Sequence, residues 1–355
     1  MQRNLGIHGL LLMSTFHDFY PNQIITKDIS SQFPSRYIIK KDNTWIHDTI
    51  FIEIKHLDTG GAIRMEGDVG YYMVIEKCVF SSCESSSGLG GAVYMSNNYG
   101  SMAISEVCAH GCVAKSGGST FCLGSENTKI VLNNSVLTNS RRVYSSEGGS
   151  CINMYSGQYI LNQINISYTI GNDAVFDATN ANSIQTTFCS MISNIADYSG
   201  IIRVYNCQNS SFVQSNILNN TQFASYSGVI YADKDSEVSI VSCVFLDNPM
   251  NGYLFSARDS SITVVSCSIQ QNAKNNGANI YDARIDGTPL QLSHMQTHLC
   301  KPNSNSNGNS TSLKKNGIYY VIGILVIACI AAYFIKNGNL SAAKSSDSAE
   351  FQQFK

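Results

Sequence analysis

The stretch at 243–248 reads CVFLDN, and further on, at 267–272, the chain reads CSIQQN. Written as C-x-Φ-x-x-N, with Φ apolar, the phrase also appears as CVFSSC at 78–83, NSVLTN at 134–139, CSMISN at 189–194 and SNILNN at 215–220. Its central residues are Phe80, Val136, Met191, Ile217, Phe245 and Ile269, separated by 56, 55, 26, 28 and 24 positions. The first two separations read as double steps. Halving them predicts degenerate copies near 108–110, where Cys108, His110 and Cys112 stand, and near 164, with Ile164 and with Ser167 in the asparagine slot. Eight units between Phe80 and Ile269 give a mean period of about 27.

A second signal keeps step. Gly60-Gly61, Gly90-Gly91, Gly117-Gly118, Gly148-Gly149, Gly200 and Gly228 each precede a copy by a little over half a period. A glycine pair followed by apolar residues marks a positive-φ turn opening a strand. Repeats with periods of roughly 20 to 50 residues indicate a solenoid or array, and no unit carries a helical stripe or a leucine scaffold. The expectation is an all-β fold, a right-handed parallel β-helix of about eight coils, since right-handed parallel connections dominate. In it Phe80, Val136, Met191, Ile217, Phe245 and Ile269 form an interior column, and Asn139, Asn194, Asn220, Asn248 and Asn272 form an amide ladder at a turn.

Composition agrees. The 355 residues are 43% hydrophobic and only 14% charged, with a net charge of −2, while Ser and Asn together make about 23%. Ser, Asn and Gly serve helices poorly. A nearly neutral chain has no field for nucleic acid, so none is expected as partner.

Residues 317–335 read GIYYVIGILVIACIAAYFI, a run without charge between Lys315 and Lys336. As a helix they span about 28 Å, the hydrocarbon thickness of a bilayer. The expected order is 1–58, an N-terminal capping region; 59–290, the coils; 291–316, a polar tether; 317–335, a transmembrane helix; and 336–355, a cytoplasmic tail. Arg3 followed by the apolar run 5–13 has the order of a signal segment, although His8 interrupts it and no small-x-small cleavage site follows. Asn133, Asn165, Asn209, Asn219 and Asn309 begin N-x-[ST] before the span, against Asn339 alone after it. Those acceptor sequons favour a single-pass plasma-membrane protein with its coils extracellular.

GGAI at Gly60, GGAV at Gly90 and FLDN at Phe245, repeated along a β-helix, resemble the polymorphic outer-membrane proteins of chlamydiae and the related single-pass surface proteins of trichomonads. The resemblance covers about 59–275. It implies adhesion or host contact without catalysis, and a terminal helix in place of the chlamydial barrel departs from autotransport.

Cys243 and Cys267 occupy equivalent slots and read either as a bridge or as buried thiols, the latter favoured because Ser and Asn share the slot. Twelve cysteines with Cys329 in the span leave eleven, an odd number. Asp235 and Asp259, with Lys234 and Arg258 beside them, could stack as paired acids of a polysaccharide lyase or hydrolase, the rival to adhesion, or bind calcium, but Ala181 and Cys207 in the neighbouring coils leave no wider acidic cluster, so the two read as turn residues. His294, His298 and Cys300 have zinc-ligand spacing without a fourth ligand. No P-loop, nucleophile elbow or dinucleotide fingerprint is present. The expectation is therefore no catalytic residue, no cofactor, no metal, and a cell-surface, matrix or glycan ligand.

Overall fold

A computed structural model describes residues 16–293, apart from 31–34, 68–69, 98–99, 125, 127–128, 143–148 and 286. The expected signal segment, the tether beyond 293, the apolar stretch 317–335, the tail and Asn309 lie outside the described residues. Among the described residues no helix is long and apolar enough to cross a membrane.

The chain is an all-β parallel solenoid. A representative coil contains strands Val93–Asn97, Ser101–Ser105, Cys108–His110 and Val113–Ala114. Each pairs in parallel with its counterpart in the neighbouring coils. The first strands of successive coils form one ten-stranded sheet, from Tyr37–Ile39 to Asn275–Asn276. The second and third strands form a nineteen-stranded sheet.

Sharp bends on either side of the third strand make two of each coil's turns. Most coils place a non-glycine residue there in the left-handed region, such as Lys77, Glu106, Gln163 and Phe188 at the first bend and Glu53, Ser82, Asn139 and Tyr168 at the second. No Val, Ile or Thr occupies these positions, as expected where branching at Cβ makes that conformation costly.

The interior column runs Phe51, Phe80, Ala109, Leu137, Ile166, Met191, Ile217, Phe245, Ile269 and Ile285. Phe51 lies flat on Phe80, with centroids 4.9 Å apart and planes 2° apart. Each fully buried Phe contributes on the order of 2–3 kcal/mol. Eight coils therefore match the repeat, with one further turn before it and one after. Part of the expected cap, Thr44–His47 and Ile50–Ile52, is itself coil, in register with Tyr72–Glu76 and Val79–Ser81.

Val136 is a correction. It pairs with Cys108 and Asn165, outside the core column, and Leu137 takes the interior place. The cause is a one-residue slip: Ser135, not Asn134, is the equivalent of Cys78. Ile164 likewise stands in the cysteine slot, two residues before the core residue Ile166.

The cysteine slot has a common chemistry. Cys189 Sγ donates to the Thr187 carbonyl two residues back (3.3 Å) and accepts the Ile164 N–H of the preceding coil (3.4 Å). Ser135 Oγ does both jobs in its coil, toward the Asn133 carbonyl and the Val107 N–H. Any short donor–acceptor fits, so Cys and Ser interchange. Cys243 and Cys267 are free thiols, which overturns the bridge reading, and the Cys243 N–H points to Cys267 Sγ at 3.3 Å.

The amide ladder occupies the slot five residues after the cysteine. Asn220 Oδ1 accepts the Asn194 N–H and Asn248 Oδ1 accepts the Asn220 N–H, both at 3.0 Å. Their Nδ2 groups donate to the Ile166, Met191 and Ile217 carbonyls. Asn139 and Asn272 are corrections. Both sit at left-handed bends, with φ of 53° and 60°; Ser140 takes the slot beside Asn139, and Gln270 Oε1 accepts the Asn248 N–H (2.8 Å) in place of Asn272.

The glycines separate by role. Gly60, Gly90 and Gly118 have φ of 70°, 67° and 69°, while a Cβ on Gly61 or Gly91 would collide with the carbonyl of Gly91 or Ser119 in the next coil. A Cβ on Gly117 would press on the Asn153 amide. Gly149 accepts the Asn172 N–H (2.8 Å), and Gly148 lies outside the described residues.

Candidate functional site

The second bend of each coil projects side chains into solvent on both sides of a single inward residue. Two neighbouring columns result. One is Glu53, Ser82, Gly111, Asn139 and Tyr168, all left-handed, with Gly111 at φ 63°. The other is Lys55, Glu84, Val113, Arg141 and Ile170, held by parallel pairing and by the Ile170 N–H on the Ser140 carbonyl. Together with His110 and Ser140 they line a groove of about 660 Å³. Five coils at about 4.8 Å make it about 19 Å long.

The groove is open and of mixed polarity. Tyr168 and Ile170, two residues apart on the lining, are 58% and 45% exposed. Lys55 Nζ lies 3.3 Å from Glu84, and Asn139 Nδ2 lies 3.1 Å from His110 Nε2. Glu53, Glu84, Lys55 and Arg141 all line the groove, so carboxylates and cations balance in number. At the midpoint Gly111 carries no side chain, although a Cβ there would meet only Ser82 Oγ at 3.7 Å. The missing side chain leaves room on the lining at this coil. Clefts of this size lined by an aromatic face and convergent polar groups suit small organic ligands.

A second cluster lies on the outer face of the ten-stranded sheet. Arg203 Nη1 is 2.7 Å from Asp173 and 3.6 Å from Asp177; Arg258 is paired with Asp233, which also accepts the Tyr231 hydroxyl (3.0 Å). Arg203 and Lys234 both lie 5.3 Å from the Tyr205 ring centroid. Burial pushes the Asp177 carboxyl up to about 6, against the pull of Arg203 and with the push of Asp173. Its Oδ1 is buried without a hydrogen-bond partner among the described residues.

For Asp235 and Asp259 the turn reading holds and no acid pair forms. Both are exposed bend residues with φ of 56° and 48°, offset by one, so that the Asp235 N–H bonds the Asp259 carbonyl at 2.7 Å. Lys234 and Arg258 instead join the Tyr and Asp residues of the outer cluster. Among the described residues no group of His, Cys, Asp and Glu is arranged to hold a metal, and His294, His298 and Cys300 lie outside them.

The sequons divide by burial. Asn133 and Asn165 are buried, Asn133 accepting the Asn162 amide at 2.9 Å, so neither can carry a glycan in the folded chain. Asn209 and Asn219 are exposed. The buried thiols of Cys78, Cys122, Cys151 and Cys189 are pushed up to about 12 by burial and are unreactive at neutral pH. No family model, curated protein or solved structure matches this chain.

Proposed function

We propose that this chain is a membrane-anchored surface β-helix that binds an extended, largely neutral oligosaccharide in the groove between the two bend columns. The observation that carries the reading is the groove itself: about 660 Å³, open, lined by Tyr168 and by balanced donors and acceptors. Sugars present apolar ring faces to aromatic rings and hydroxyls to mixed polar groups. A linear chain fits a channel built from repeated columns. The reading takes the coil as right-handed and residues 317–335 as the anchor, with the coils outside the cell. Adhesion in the manner of the chlamydial and trichomonad surface proteins follows from such binding.

The test is a panel of oligosaccharides presented to the full-length protein. Binding of neutral chains, weakened at least tenfold in Tyr168→Ala, supports the reading; no binding, or binding indifferent to Tyr168, overturns it. A second reading, a tethered glycan lyase or hydrolase, draws on Asp177, whose carboxyl near 6 beside Arg203 suits proton transfer. It requires product release that Asp177→Asn abolishes.

A further inference from the structure

From Trp45 the outward column of the second strands runs through Val74, Ala103, Val131 and Ile160, then turns polar at Gln185 and Ser211. Outward positions on a solenoid face water unless something covers them, and the change of composition marks where the cover ends. Val74 and Ala103 are fully buried and Val131 is 7% exposed, whereas Gln185 is exposed.

The cover is the start of the described chain. The short helix Phe16–Phe19 places Phe16 in one buried apolar cluster with Val74, Ala103 and Val131, and Phe19, Tyr20, Trp45 and Tyr72 pack against it. The Tyr20 ring centroid lies 4.7 Å from that of Tyr72. The chain then runs to the strand Lys27–Ile29, which pairs in parallel with residues 44–46.

That strand is fastened by charge at its middle residue. His47 Nε2 lies 2.9 Å from Asp28 Oδ1, and His47 Nδ1 lies 2.9 Å from Asp48 Oδ2. Both ring nitrogens therefore face carboxylate oxygens, which only accept. Imidazolium donates to both, whereas neutral imidazole has a single N–H and turns a lone pair on one of the two carboxylates. The indole of Trp45 stacks on the ring, with centroids 4.0 Å apart, which favours the cation. Opposite His47 in the next coil stands Glu76, which accepts the Trp45 Nε1–H (3.2 Å) and pairs with Lys77 (2.8 Å). Partial burial pulls the imidazole down, but the bonds to Asp48 and Asp28 outweigh it, and its pKa stands above the ordinary 6.5. The fastening is complete below about 6.5 and is lost as pH rises through the higher folded value.

We propose that residues 16–29 form a proton-latched flap: imidazolium at His47 holds Asp28 and its strand down, and loss of that proton frees the flap to lift from the strip of Val74, Ala103 and Val131. The flap is shut in mild acid and opens in mild alkali. The carboxyl of Asp177 titrates lower, at about 6, so the two transitions are separate.

The test is hydrogen exchange of the full-length protein at about pH 6 and about pH 9, each rate divided by that of an unstructured chain at the same pH. The expected result is protection of the amides in 16–29 that falls about threefold or more from the lower to the higher pH, while that of Asn216–Leu218 holds. In His47→Gln the flap is equally protected at both pH values. In Asp28→Asn, whose amide can accept from or donate to the neutral ring, the dependence disappears as well. A wild-type flap equally protected at both pH values overturns the proposal, as does a fall that survives in either variant. Asp28 is exposed, so Asp28→Asn decides the matter even if His47→Gln fails to fold.

Discussion

At the scale of single residues, the slot after each first bend asks for a short group that both donates and accepts. Cys189→Ser should therefore shift stability by no more than about 1 kcal/mol, whereas Cys189→Val, which leaves the Ile164 N–H and Thr187 carbonyl unpaired, should cost about 1–3 kcal/mol in denaturant unfolding. Asn220→Leu strands the Asn194 N–H and the Met191 carbonyl and should cost about 2–4 kcal/mol by the same assay. The Asp177 carboxyl adds a pH term. Its folded value, about 6, lies above the ordinary 3.8, so between those pH values the folded chain binds more protons than the unfolded one. Stability should fall as pH rises from about 4 to about 6. Asp177→Asn should match wild type near pH 4 and exceed it at pH 7 by up to about 3 kcal/mol; equal pH profiles would remove Asp177 from the account.

At the scale of the coil, the groove exists because the bend residue and the residue two positions later both point out while the one between points in. Gly111 lines the groove at the middle coil with room for a side chain. Since Asn is at home in the left-handed region, Gly111→Asn should fold normally, by circular dichroism and melting temperature, yet weaken oligosaccharide binding about tenfold or more by filling the centre. The coils were legible in the sequence because Phe80, Met191, Ile217 and Phe245 recur with glycine pairs in step. The groove was not. NSVLTN matched the phrase one residue out of register, which drew Asn139 into the amide ladder and hid it from the bend column. Degenerate coils with Ala109 and Ile166 at the core position concealed Gly111 and Tyr168 for the same reason. The charged cluster was hidden differently: Asp177, Arg203, Asp233 and Arg258 lie about a coil apart in sequence and meet only through stacking.

At the scale of the whole chain, stability in a solenoid is a sum over coils and their interfaces. The C-terminal end is the weaker one: Ser268 pairs with Arg284 across a shortened last coil, and Ile285, at the end of the core column, is 62% exposed. Amides of Ala278–Tyr281 should exchange with deuterium faster than those of Asn216–Leu218, where the asparagine ladder is complete; uniform protection would contradict an end-fraying solenoid. The central claim is that this rod and its groove are displayed outside a membrane by the stretch at 317–335. It is tested most directly with one epitope tag inserted at Asn305 and another after Lys355, stained on intact cells. The account predicts that the Asn305 tag stains without permeabilisation while the Lys355 tag stains only after it. Staining of the Lys355 tag alone, or of neither tag at the surface, would contradict it.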